Sequence, residues 1–195
     1  MSEYGAEFWQ AKLREKFARA RSRKKKSKGG VSMNLLTSEL VKRARKWIGH
    51  TETAKNYSPQ ICVWLRNVHI LQPAPWCAAF AWCMLDESCR ELVLRNPVRP
   101  TASAHKLLEE ADRLGARATE PGPGYLFGID HGGGKGHCGI VVAVNGDSVS
   151  TIEANTNSEG SRDGNCVATH RRKIADCTLG FLDPGKLFDG HLDTW

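Results

Sequence analysis

At "EPGPG" (120–124) the chain changes texture, and that change restricts its fold more than any other feature. Before it, apolar residues recur every three or four positions. Leu36, Leu40, Ala44, Trp47 and Ile48 form one such face, which Gly49 ends. Ile61, Trp64, Leu65 and Val68 form a second, behind a Ser58-Pro59 start. Leu107, Leu108, Ala111 and Leu114 form another, opened by Ser103 and closed by Gly115. This is the period of helices with one buried side, with capping residues where helices begin and end. After "EPGPG" the apolar runs are short and β-branched: "YLFGI", "CGIVVAV", "SVSTIEAN", "CVATHRRK" and "TLGFL". They read as strands. Helices first and an antiparallel sheet afterwards predict an α+β fold in which N-terminal helices pack on the sheet. There is no internal repeat.

The chain has 195 residues, 41% of them apolar, enough for one domain with a core and an appendage. It contains no apolar run long enough to span a bilayer. The net charge of +7 is uneven. Residues 1–30 hold ten of the 28 Lys/Arg and three of the 21 Asp/Glu, so the remainder holds 18 of each and is neutral. Within that arm, Ala6, Trp9, Leu13, Phe17 and Ala20 stripe a helix over 4–20, and "ARSRKKKSKGG" reads as a solvated linker. The expected organisation is a basic amphipathic arm over 1–32 and a domain over 33–195. Such an arm suits an anionic outer-membrane or lipid surface; a solubilising tail is the plainer alternative. No nucleic-acid partner is expected, because the neutral domain offers no second basic surface. The N-terminus lacks the layout of a secretory leader, which predicts a chain made in the cytosol.

Seven cysteines stand at 62, 77, 83, 89, 138, 166 and 177. No C-x-x-C occurs and no spacing matches a common zinc site, so mostly free thiols are expected. Cys77 differs by its context, "PAPWCAAFAWC" (73–83). Small and apolar residues after a proline read as the start of a buried helix. Cys77 then lies in the first turn, where unpaired N–H groups and the positive end of the helix dipole favour a thiolate. An inert core cysteine has the same placement, so the residue alone decides nothing.

A cysteine nucleophile needs a base, and the base needs a group to orient it. Among seven histidines, His137 opens "GHCGIVVAV" directly after a glycine-rich loop, which sets a fixed side chain beside open space. A loop-end surface histidine is the alternative. In "TIEANTN", Glu153 and Asn155 are two residues apart and share a strand face. A carboxylate and a carboxamide are the groups that hold an imidazole in its working tautomer. An acid in an otherwise apolar strand calls for a partner, unless it stands at a solvated strand end.

Taken in order, "PWCAAFAWC", "GHCGIVV" and "TIEANTN" resemble the three signature segments of the CHAP domain family, the cysteine, histidine-dependent amidohydrolases and peptidases of papain-like fold. "ARKWIGHTETAKNYSPQICVWLR", "PGPGYLFG" and "RRKIADCTLGFLDP" resemble flanking parts of the same domain, over about 36–184. The resemblance implies Cys77 as nucleophile, His137 as base, Glu153 as orienting carboxylate and Asn155 as a fourth site residue. It implies no cofactor, and without early clustered aspartates no metal ion is expected. Two departures stand out. Cys138 follows the histidine where an aliphatic residue is commoner, and it is expected to face away as core. "PGYLFG" lacks the acid usual after the glycine.

Family members mostly hydrolyse peptidoglycan, so the implied function is a peptidoglycan amidase or endopeptidase, with a phage endolysin the favoured setting. It would reach the wall by release or injection. A toxin effector of the same fold, a papain-like deamidase or acyltransferase acting on protein, and a non-catalytic wall-binding module are the alternatives.

Register supplies a geometric condition. For His137 and Glu153 to share a face, the "NGD" turn (145–147) must be odd in length, or a bulge must restore the same parity. Either arrangement sets Gly139 opposite Glu153.

Overall fold

The computed structural model describes residues 31–157 and 163–188. The amphipathic helix and linker expected over residues 4–30 lie outside the described residues. Four helices come first: α1 (Val31–Arg45), α2 (Pro59–Asn67), α3 (Cys77–Glu91) and α4 (Ala104–Arg113). Six strands follow: β1 (Arg117–Ala118), β2 (Leu126–Asp130), β3 (Gly136–Asn145), β4 (Ser148–Thr156), β5 (Cys166–Lys173) and β6 (Gly180–Leu182). They form one sheet in the order β1-β6-β2-β3-β4-β5, with every pairing antiparallel. This is the expected α+β architecture. Two details differ at its edge. β1 is only two residues long, too short to leave a periodic trace, and β6 keeps only the last three residues of "TLGFL".

The helix boundaries follow their capping chemistry. The Ser58 hydroxyl accepts from the Ile61 N–H at 3.1 Å, with Pro59 in the first turn. Ser103 caps α4 through the Lys106 N–H. α1 stops at Arg45, and the chain turns as far as Gly49, whose positive φ of 89° lets its N–H reach the Val167 carbonyl at 2.9 Å.

α3 is enclosed on all sides rather than along one stripe. Cys77 through Leu85 are all buried, and the alanines at 78, 79 and 81 allow close approach of its neighbours. The helix packs against α1, α2 and the central strands β3 and β4. Its start is set by an aromatic block. Trp76 is fully buried, stacked on Trp64 with ring centroids 5.6 Å apart, and its indole N–H donates to Glu52 at 2.8 Å. The bulky residue before the cysteine therefore anchors the helix N-terminus between the Glu52 loop and α2.

Strand alternation sends two sets of side chains to opposite sides of the sheet. Cys138, Ile140, Ile152 and Ala154 join the helices in the main core. Phe127, Val141, Val149 and Phe181 make a smaller cluster on the other face. The hairpin between β3 and β4 has a two-residue turn, with Asn145 opposite Ser148, so the three-residue loop is not used. The alternative is realised: a bulge between Val141 and Ala143 restores the parity and brings Gly139 opposite Glu153.

Candidate active site

Cys77 is the first residue of α3, whose N-cap, Trp76, makes no side-chain hydrogen bond to the first turn. The opening N–H groups of this helix thus keep their donor capacity beside the thiol. His137 is the second residue of β3. Glu153 lies on β4, diagonal to it. Gly139 makes the diagonal possible. A Cβ there would stand 2.8 Å from the Glu153 side chain, 2.8 Å from Phe127 and 2.7 Å from the Ile152 carbonyl oxygen. With no side chain opposite, the carboxylate leans along the sheet and meets His137, Oε2 to Nε2 at 2.9 Å. Both side chains are buried, at 1% and 0% exposure. An ionised carboxylate only accepts, so the Nε2 proton points to Glu153 and Nδ1 is the nitrogen left to Cys77.

The local electrostatics favour a charged pair. Burial opposes charge on His137, but its interactions with Cys77 and with the Glu153 carboxylate outweigh it and raise the imidazole to about 9. Burial likewise pushes Glu153 up, yet its bonds to Arg172 and His137 bring it to about 2. The Cys77 thiol falls well below its ordinary value, first through a hydrogen bond from the Cys138 thiol, against burial, and then through His137. Elsewhere in α3 burial acts almost unopposed: Cys83 and Cys89 are pushed up to about 12. One helix therefore holds a thiol biased toward ionisation at its start and thiols biased against it along its body.

Asn155 is buried two residues beyond the last regular pair, Glu153 with Ala168. It sits in a β4–β5 irregularity with a left-handed backbone, φ 57°. Glu153, not Asn155, takes the imidazole nitrogen. Three further features surround the site. Arg172 on β5 grips Glu153 with two bonds, Nε to Oε1 at 2.9 Å and Nη2 to Oε2 at 2.6 Å. The Thr151 hydroxyl donates to Glu153 Oε1 at 2.6 Å. Cys138 is core, as its alternation implies, but its thiol also meets Cys77. Arg172 had a signal in the sequence: a carboxylate in an apolar strand needs a cation, and "THRRK" on the next strand supplies one. Among the described residues, no group of three or more His, Cys, Asp or Glu is placed to hold a metal ion.

A thiol at a helix start, an imidazole on the adjoining sheet and a carboxylate behind it are the three groups that nucleophilic cysteine catalysis requires. Residues 71–155 match the family model of the CHAP domain, which spans Cys77, His137, Glu153 and Asn155. That stretch, a little under half of the chain, is thus similar to the CHAP domain, a cysteine, histidine-dependent amidohydrolase/peptidase domain. No curated protein matches the chain. Among solved structures it is similar to that described as "The crystal structure of Ly7917", at 16% identity and a TM-score of 0.40. That likeness covers 76% of this chain and 62% of the other, so this chain spans less than two thirds of that protein.

Proposed function

We propose that the chain cleaves an amide bond of peptidoglycan through a Cys77 thioester, as an amidase or endopeptidase of the bacterial wall. The observation that carries this reading is the buried His137–Glu153 pair at 2.9 Å beside a thiol held well below its ordinary value. The Cys77 thiolate attacks the amide carbonyl. N–H groups of the first turn of α3 hold the oxyanion. As the C–N bond breaks, the His137 imidazolium gives its proton to the leaving amine. Neutral His137 then takes a proton from water, whose hydroxide attacks the thioester. The acid leaves, Cys77 returns as thiolate and His137 as imidazolium. Glu153 keeps Nε2 protonated and balances the imidazolium throughout.

The setting we favour is a phage endolysin acting on the wall after release. The charge distribution supports delivery to anionic surfaces: the surplus of seven lies in residues 1–30, beside a neutral remainder. Turbidity of purified peptidoglycan, followed by mass analysis of the fragments, tests the function. Clearing with new amide-cleaved fragments is expected. Intact peptidoglycan together with deamidation or acyl transfer on a protein substrate would replace it with the papain-like alternative.

A further inference from the structure

A carboxylate that orients a histidine must be ionised and must not rotate, and Glu153 has no solvent to meet either need. Its side chain is fully buried. Its two oxygens receive four donors: Thr151 Oγ1 and Arg172 Nε on Oε1, and Arg172 Nη2 and His137 Nε2 on Oε2. That fills the acceptor capacity of the group. The guanidinium is the element that makes the arrangement rigid. Its planar fork engages both oxygens at once and so fixes the carboxylate plane. One acceptor direction is then left on Oε2, and His137 occupies it. Arg172 comes from β5, four pairs along the sheet, where it stands opposite Val149 while Glu153 stands opposite Ala168. It therefore reaches back along the strand past His170 to make this contact.

We infer that Arg172 is a positioning residue for the Cys77–His137 pair, acting through Glu153. The inference rests on the reading of Cys77 and His137 as nucleophile and base. A lysine cannot replace the fork, because an ammonium binds as a point charge and leaves the carboxylate free to turn.

The titratable groups around Glu153 determine the sign of the effect. His137 from β3 and Arg172 from β5 bond it directly, Cys138, His170 on β5 and Cys177 in the turn after β5 feel its charge, and Cys77 on α3 is coupled to it through His137. Of these, Arg172 and His137 are the cations that hold the carboxyl down against burial. Without Arg172 the burial effect reasserts itself and Glu153 takes up a proton at higher pH. A neutral carboxyl no longer balances the imidazolium. The Cys77 thiolate then loses its counter-charge, and the acid limb of its reactivity moves upward.

The test is the pH dependence of Cys77 alkylation by iodoacetamide, located by peptide mass analysis, in the full chain and its Arg172→Gln and Arg172→Lys variants. It needs no wall substrate. The wild type should react well below neutral pH. In Arg172→Gln the acid limb should rise by about one to three units, and in Arg172→Lys by less. On peptidoglycan, kcat of Arg172→Lys should fall at least about tenfold at constant KM. A purely structural role would reduce the folded fraction without moving the limb. Arg172→Gln that is folded by circular dichroism and keeps the wild-type limb overturns the inference. Should Arg172→Gln fail to fold, Arg172→Lys decides, and wild-type limb and kcat there overturn it. A wild type with no reactivity below neutral pH overturns the Cys77–His137 pairing itself, and this inference with it.

Discussion

At the scale of single residues, chemical selectivity comes from what each thiol touches. Cys77, Cys83 and Cys89 share one helix and all are buried, yet only Cys77 meets a thiol donor and an imidazole. Iodoacetamide at neutral pH should therefore label Cys77 alone in α3, as peptide mapping can read. Cys83→Ala and Cys89→Ala should stay active and lose about 1–3 kcal/mol of stability from the space they leave. Labelling of Cys83 or Cys89 at a comparable rate would contradict the assignment. The same contacts determine pH behaviour. His137 is raised from 6.5 to about 9, so its contribution to stability is fully present below 6.5 and is lost as pH rises through about 9. Glu153 is lowered from 4.5 to about 2, so its contribution is present above 4.5 and is lost as pH falls through about 2. Activity should accordingly decline with an apparent pKa near 9 as the imidazolium loses the proton it gives to the leaving amine, which a kcat/KM profile would show.

At the scale of elements, the β3–β4 hairpin decides whether His137 and Glu153 meet. The turn alone would place them on opposite faces; the bulge between Val141 and Ala143 reverses that parity. The parity condition was legible in the sequence because side-chain period on a strand is two. The bulge itself was not, since nothing in "GIVVAV" marks which residue is extra. Helices α1 to α4 were legible from period and caps, whereas β1 depends on pairing with β6 and has no pattern of its own. Cys77, His137 and Glu153 could be read from local context. Arg172 could not be placed without the β4–β5 register, and the Cys138 contact depends on how α3 seats on the sheet. Gly139→Ala tests the hairpin. Its methyl would meet the Ile152 carbonyl, Glu153 and Phe127, so Glu153 must shift. A loss in kcat approaching a hundredfold is expected, because displacements near 1 Å carry that penalty. Unchanged kcat would show that the diagonal contact is not needed.

At the scale of the molecule, charge and chemistry are separated along the chain. The surplus of seven lies in residues 1–30, while α1 begins at Val31 and the site residues fall between 77 and 172. A chain truncated before Val31 should cleave isolated peptidoglycan at close to the full rate. It should act more slowly on cells with an outer membrane, and that difference should shrink in high salt, where exposed charges are screened. Equal action of both forms on whole cells at low salt would remove the surface role of residues 1–30. The central claim is that Cys77 cleaves a wall amide, and the most direct measurement is the count of groups released from purified peptidoglycan by the wild type and by Cys77→Ala. New amines without new reducing sugar ends are expected from the wild type, and neither from a folded Cys77→Ala variant; reducing ends from the wild type, or amines from Cys77→Ala at a comparable rate, would rule out amide cleavage by Cys77.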